Sequence, residues 1–472
     1  MRNQPGHLTW ITPLLFFFLC KGGTAQCLDD SVGLPGNQEP AIFGTGVVML
    51  GDLVVVGAPL QQGTVEWAAG RVHVMRWSEG GVQPEAELVA DDGEVGDLMG
   101  VSVATDGVRI IAGAFMDDTT FTNDGSAYIF RFDSRMKKQW VLESKLVAAS
   151  PRPQATFGRT VAIDGDLAVV GSPLDGTIGS ASGLVHVFER DLTGEWVETG
   201  QLTSPGQEPE DRFGLSLDLD GDRLVVGASW ADDERGEVHI YERDGMGGWN
   251  HVAEILNPTG MAGGQFGFDV ALDEDRLLVG EYHADGELVD SGAVHFFGLI
   301  EGEWSLEQSF GGDALGGFAE FGVSVDLMGD VAMAGSQFGT MPGGTPATGT
   351  VEVFGRANGN WASRGLLVPE NANNEGEFGW QLSIDGDRAV VGAPYADTPV
   401  DETGMVYLLH GLGSGCGPNP DLNGDGVVDG ADMGLMLAMW GSCADPADCP
   451  ADLNGDGVVN GADIGLLLVG WS

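Results

Sequence analysis

The sequence predicts an all-β chain, a seven-bladed β-propeller, followed by a small all-α domain. Three observations carry that expectation. A two-residue opening, Phe-Gly or a near relative, recurs seven times along the chain. A glycine follows each opening at an unvarying interval of 14 residues. Near the C-terminus stand two almost identical acidic stretches, DLNGDGVVDGAD and DLNGDGVVNGAD, each running into an apolar segment of helical length.

Composition sets the outer limits. The 472 residues, 43% of them hydrophobic, suffice for a sizeable core. Asp and Glu number 71 against 21 Lys and Arg, a formal charge of −50. A field of that sign repels polyanions and argues against nucleic acid and anionic membrane as partners, while it attracts divalent cations.

The N-terminus reads as an export signal over residues 1–25: Arg2, the apolar run LTWITPLLFFFLC, then the small residues GGTA. The run is too short for a membrane span, and no later stretch reaches 18 apolar residues, so no transmembrane segment is expected. The expected location is secreted, extracellular or at the cell surface. Neither Cys20 nor Cys27 stands in a good lipoprotein context. After cleavage Cys27, Cys416, Cys443 and Cys449 remain, an even number in an oxidising compartment, which suggests two disulfides with three connectivities open. Zinc is the rival reading, but no histidine lies near them.

The repeats occupy residues 41–410. Their openings are Phe43-Gly44, Met99-Gly100, Phe157-Gly158, Phe213-Gly214, Phe266-Gly267, Phe321-Gly322 and Phe378-Gly379, and the following glycines are Gly57, Gly113, Gly171, Gly227, Gly280, Gly335 and Gly392. Between the two marks, as in FGRTVAIDGDLAVVGSP, an alternating strand, a DGD turn and a continuous β-branched strand make a hairpin whose second strand is buried on both faces. A third strand follows as G-x-V-x-V-F, as in GLVHVF at Gly183, and a fourth often opens on tryptophan, as in EWVETGQLTS. Four strands per unit and seven units predict a propeller, in which each sheet buries its faces against its neighbours. The seventh unit reaches only its third strand at about His410 before a linker, 411–420. Closure then needs one strand more, and the segment 26–40 is the available donor.

The Phe-Gly openings, with Gly57-Ala58-Pro59 and Gly392-Ala393-Pro394, resemble the FG-GAP repeats of integrin α-subunit propellers and their bacterial relatives. That resemblance implies a non-catalytic adhesion or ligand-binding platform. Several integrin repeats carry a calcium loop inside the first hairpin; the interval of 14 leaves little room for one here. The nearest approach is Asp218, Asp220 and Asp222, while Asp164-Gly165-Asp166 and Asp385-Gly386-Asp387 read as hairpin turns.

No phosphate loop, nucleophile elbow or HExxH motif is present. His73, His186, His239 and His295 share one third-strand position that Tyr128, Glu352 and Tyr407 fill in the other units, which predicts a half-exposed strand site. His283, in GEYHADGE, is off that register and is the histidine to test. The loops after the second strand vary in length, and a ligand surface is expected there.

In the terminal stretch, oxygen ligands fall at positions 1, 3, 5, 9 and 12 as Asp421, Asn423, Asp425, Asp429 and Asp432, with the Val427 carbonyl at position 7. The second stretch repeats them with Asp452, Asn454, Asp456, Asn460 and Asp463 and the carbonyl of Val458. Hard oxygens at that spacing form the EF-hand arrangement, so two Ca2+ ions are expected; plain acidic turns are the alternative. Loop, exiting helix, linker, loop, exiting helix over about Cys416–Ser472 resembles the type I dockerin. The domain is expected at 421–472. The resemblance implies docking onto a cohesin-like or other extracellular protein, although positions 10 and 11 are Gly430-Ala431 and Gly461-Ala462 where dockerins often present hydroxyl or charged residues. The helices are apolar on too many sides for full solvation, which predicts either a docking face or packing on the propeller.

The sequence thus describes a secreted calcium-binding recognition, adhesion or scaffold protein whose ring takes a protein or carbohydrate ligand. The alternative is a polysaccharide-acting enzyme, or an accessory of an extracellular carbohydrate-degrading assembly.

Overall fold

Each first hairpin is pinned by a two-residue turn whose leading residue needs a positive φ, the conformation glycine adopts without penalty. Gly51, Gly165, Gly221, Gly329 and Gly386 hold it at φ 57 to 63°; in the fifth unit Glu274 holds it at 53°. With that turn fixed, Thr160–Asp164 pairs with Leu167–Ser172 from Thr160↔Gly171 to Asp164↔Leu167. Leu167–Ser172 then pairs with Leu184–Arg190, and that strand with Trp196–Leu202.

The computed structural model describes residues 28–34, 41–61, 68–78, 81–135, 139–340, 349–369, 376–396, 403–412, 422, 430–442, 449, 451, 458–461, 463–464 and 467. Seven four-stranded sheets result. Blade 1 is Val47–Leu50, Leu53–Ala58, Arg71–Ser78 and Gly81–Leu88. Blade 2 runs from Val103 to Leu146, blade 3 from Thr160 to Leu202 and blade 4 from Ser216 to Leu256. Blade 5 runs from Phe266 to Gly311 and blade 6 from Phe321 to Leu367. Blade 7 contributes Leu382–Asp385, Arg388–Ala393 and Met405–His410, and its fourth strand is Leu28–Gly33 from the N-terminal segment.

First strands touch first strands all the way round, including blade 7 against blade 1, so they line the axis. Second strands are wholly or almost wholly buried, as Leu53–Ala58 and Leu167–Ser172 show. Core clusters straddle neighbouring blades: Leu53, Val55 and Val72 of blade 1 pack with Ile110, Ala112 and Tyr128 of blade 2.

The interval of 14 has a packing cause. A Cβ on Gly113 would stand 1.9 Å from the carbonyl oxygen of Gly158, the opening glycine of the next blade. The same approach recurs at Gly171 to Gly214 (2.2 Å), Gly227 to Gly267 (2.1 Å), Gly280 to Gly322 (2.0 Å) and Gly335 to Gly379 (2.0 Å). Across the closing seam it recurs at Gly392 to Gly44 (2.0 Å). The opening aromatic is buried: Phe43, Phe157, Phe213, Phe266, Phe321 and Phe378 are at most 1% exposed, each worth roughly 1.5–3 kcal/mol of burial.

The C-terminal unit is described on its own. Gly430–Ala438 is helical, and Gly441–Ser442 pairs antiparallel with Val458–Val459. Residues 461, 463, 464 and 467 are helical. Met436, Ala451, Val459 and Leu467 form its small core. The unit is therefore not all-α over the described residues: a short ladder ties the chain after the first helix to the second stretch. Cys449 is disulfide-bonded, which removes it from the zinc reading.

Candidate functional site

In blades 1 to 6 the first strand begins, the second ends, the third begins and the fourth ends at the same end of the ring, and the first three strands of blade 7 run the same way. That face collects the openings and the variable loops. Two positions recur on it. The residue before each opening is Ile42, Leu98, Thr156, Arg212, Gln265, Glu320 or Glu377, and all seven adopt left-handed φ of 46 to 58°. The residue 17 after each opening is Leu60, Met116, Leu174, Trp230, His283, Phe338 or Tyr395. In blades 1 to 3 both sets are aliphatic apart from Thr156; in blades 4 to 7 they are aromatic, charged or amide.

The polar sector holds four local groups of contacts. The Arg212 guanidinium lies 3.4 Å from the centroid of the Trp230 ring. Gln265 donates through Nε2 to Glu234 at 3.0 Å. Tyr282 packs between Phe268 (4.0 Å between centroids) and His283 (3.9 Å). His283 Nε2 stands 3.9 Å from Glu320, which also accepts from Gln337. Trp380 and Tyr395 meet edge to face at 6.1 Å. The interaction with Glu320 holds the His283 pKa above its ordinary value against the opposing effect of burial. Burial, with Glu320 nearby, pushes the Glu377 carboxyl up to about 7. Burial pushes the Tyr282 phenol up to about 12.

The shared third-strand position is not half-exposed. His186, His239 and His295 are at most 1% exposed and His73 8%. The opening phenylalanine covers the ring: Phe43 to His73 is 5.4 Å, Phe157 to His186 5.0 Å and Phe266 to His295 5.6 Å between centroids. Each is then bonded locally, His186 to Glu198 at 2.8 Å and His295 to Glu281 at 2.9 Å. Tyr128 fills the position in blade 2 and donates to Asp92 at 2.9 Å, and Lys145 reaches Asp92 and Asp117 at 2.7 and 2.8 Å. These partnered networks specify packing.

Nor do Asp218, Asp220 and Asp222 converge as ligands. Asp218 accepts from the backbone N–H of Leu272 and Asp220 from that of Glu274, both at 2.8 Å, which staples blade 4 to blade 5. Asp269 and Asp326 make the same staple to Val325 (2.9 Å) and Ile384 (2.5 Å). Burial raises Asp218 to about 6, Asp269 to about 7 and Asp326 to about 8. Among the described residues no group of three or more His, Cys, Asp or Glu is arranged to hold a metal. The Asp385 turn likewise accepts from the N–H of Gly51 across the closing seam.

Of the terminal ligand set, Asp421, Asn423, Asp425, Val427, Asp429, Asp452, Asn454 and Asp456 lie outside the described residues. Asp432 and Asp463, at position 12 of the two stretches, are both fully buried. Asp463 accepts from the N–H of Asn460 at 2.7 Å, and Val458 lies in the short ladder. Leu437 on the first helix and Trp440, two residues past its end, are more than half exposed.

Closed, sevenfold and built from one repeated unit, the ring defines the class: a seven-bladed β-propeller. The FG-GAP repeat family matches residues 82–130, 140–188, 196–241, 249–297 and 361–409, just over half of the chain, and the chain belongs to that family. Each matched segment begins in the fourth strand of one blade and ends in the third strand of the next. In that frame Leu28–Gly33 stands before blade 1 as its own leading strand, so a ring of such units closes by donating its first strand to its last sheet. No curated protein matches the chain.

Sequence reasoning found the loop face and His283 but missed the two sevenfold position sets. Their signal is legible once the opening is used as a ruler: the residue 17 places on is large in all seven units.

Proposed function

We propose that the protein is an exported recognition or scaffold protein: the ring binds a ligand at its loop-side mouth, and the C-terminal unit is a calcium-folded, dockerin-like tether to an extracellular partner. The observation that supports the first half is the asymmetry of the mouth. A repeated scaffold returns equivalent residues in every blade, yet at the two recurring positions the polar and aromatic ones, Thr156 apart, fall in blades 4 to 7. The second half is supported by Asp432 and Asp463, equivalent carboxylates fully buried at the heads of the two helical segments. Position 12 is the closing ligand of the EF-hand arrangement, so each of these carboxylates belongs to one of the two oxygen sets that would hold a divalent cation. The exposed Leu437 and Trp440 give the tether an apolar face for a cohesin-like or other extracellular protein.

A pull-down from the producing organism's envelope tests this reading. A partner retained with calcium and released by chelator supports it; identical retention with and without calcium overturns the tether.

One observation favours a second reading, an enzyme acting on polysaccharide: Glu377 is held up to about 7 beside Glu320, a pairing that suits acid and base work. Release of new reducing ends by the full chain, abolished in Glu377→Gln, would establish that reading in place of pure recognition.

A further inference from the structure

We infer that the mouth over blades 4 to 7 is a binding site for a neutral polyhydroxylated ligand, a segment of carbohydrate chain. This rests on the reading of the ring as a recognition body and gives its ligand a chemical class.

Unsatisfied polar atoms are the first ground. Arg212 Nε, Gln265 Oε1, Gln337 Oε1 and Glu377 Oε2 are buried atoms without a hydrogen-bond partner among the described residues. Gln265 is 4% exposed and Gln337 8%. A buried group left unpaired weakens the fold that holds it, so four such atoms within one sector mark a place where something else makes the bonds. At the two recurring positions the aliphatic sector has no counterpart: Ile42, Leu98, Leu60, Met116 and Leu174 carry no side-chain polar atom, and Thr156 donates to the Ala155 carbonyl at 2.6 Å; elsewhere in blade 3, Ser172 Oγ and Gln207 Oε1 are also buried without a partner.

The mixture of these atoms selects the ligand. Three are acceptors and one is a donor, and a hydroxyl is the group that both gives and takes hydrogen bonds. A purely cationic partner would leave Arg212 Nε unpaired and meet the Arg212 charge. A phosphate or uronate would meet Glu234, Glu320 and Glu377 within the strongly negative field of the chain. Trp230, Phe338 and Trp380 add part-exposed aromatic faces, which suit the apolar faces of pyranose rings.

Rigidity is the second ground. Arg212, Gln265, Glu320 and Glu377 all sit at φ 51 to 57°, a conformation that disfavours side-chain-bearing residues and that the surrounding structure must hold. The lip is therefore set before a ligand arrives, which limits the ordering that binding requires.

The test is affinity electrophoresis of the calcium-loaded full chain through gels containing a soluble neutral β-glucan, xylan or mannan, with polygalacturonate and poly-L-lysine as charged comparisons. At least one neutral polymer should retard the protein. Trp380→Ala and the pair Gln265→Ala/Gln337→Ala should each weaken that retardation about tenfold or more, while Met116→Ala in the aliphatic sector leaves it unchanged. Thermal melts confirm that each variant is folded, and quenching of wild-type tryptophan fluorescence by the retarding polymer reads binding without any substitution. Retardation by no neutral polymer, or retardation indifferent to both polar-sector variants, overturns the inference. Retardation by poly-L-lysine alone overturns the ligand class and leaves recognition standing. Cleavage of the polymer overturns recognition without catalysis and leaves the site standing.

Discussion

Replacing Gly113 by alanine tests the packing that makes seven units into a ring. The added Cβ would lie 1.9 Å from the Gly158 carbonyl oxygen, whereas real Cβ contacts essentially never fall below 3.0 Å, so the seam between blades 2 and 3 must open by roughly 1 Å. That carbonyl cannot swing aside alone. Gly158 donates to Gly171 at 3.1 Å, and Gly113 bonds Gly100 and Ser102 at 2.9 and 3.0 Å, so both backbones are tied within their own sheets. Overpacking a tight site costs about 1–3 kcal/mol, and a clash between two tied backbones belongs at the upper end, about 3 kcal/mol. The matched comparison is Gly165→Ala, where φ is +58° and nothing lies within 4 Å of the new Cβ. There only left-handed strain of about 1 kcal/mol applies. Both changes remove one glycine from the unfolded chain, so the unfolded-state contribution cancels in the comparison. Urea unfolding followed by tryptophan fluorescence should place Gly113→Ala about 2 kcal/mol below Gly165→Ala. Equal stabilities within about 0.5 kcal/mol would refute the seam as the cause of the interval.

Further outcomes follow from the same geometry. Glu274→Gly should stabilise the ring by at most about 0.5 kcal/mol in urea unfolding, because Glu274 holds at φ 53° the turn position that glycine fills in the six other blades and the relieved strain of about 1 kcal/mol is partly offset by the freer unfolded chain; a loss of more than about 1 kcal/mol would contradict the strain argument. Asp326 is raised to about 8 by burial, so the folded carboxyl binds its proton more tightly than the unfolded chain does. Its contribution is therefore most favourable below about pH 4 and is lost as pH rises to about 8. Asp326→Asn should match wild type near pH 4 and exceed it by about 1 kcal/mol at pH 8, the penalty being tempered because the residue is only partly buried; a difference independent of pH would contradict this. Deleting Leu28–Gly33 leaves Met405–His410 as an open edge, and the variant should unfold at lower temperature and self-associate in sedimentation; an unchanged monomer with unchanged melting would show that the strand does not close the ring.

The scaffold was legible because its signals are local. Opening, turn and glycine are fixed by sterics within 17 residues, and repetition multiplies a weak pattern sevenfold. The donor strand was placed by counting, since LDDSVG has no strong alternation of its own and pairs because blade 7 leaves an edge. The third-strand histidines misled because exchange among His, Tyr and Glu looks like solvent tolerance. The opening phenylalanine caps that position instead, and local partners such as Glu198 and Glu281 accommodate whichever polar ring stands beneath it. The polar mouth was illegible for a different reason: its members are spread from Arg212 to Tyr395 and meet only because the ring closes. In the C-terminal unit the two stretches and their helical exits were readable, but the ladder between Gly441–Ser442 and Val458–Val459 was not, since two residues carry no period.

Under the proposed reading the ring folds without metal and calcium folds the C-terminal unit. Calorimetry of the full chain in millimolar calcium and again in excess chelator tests that division most directly. The prediction is two transitions, of which only the smaller moves, by about 2.7 kcal/mol for each site filled at a hundredfold over its dissociation constant. A chelator that leaves both transitions in place, or that shifts the ring with the tail, would contradict it.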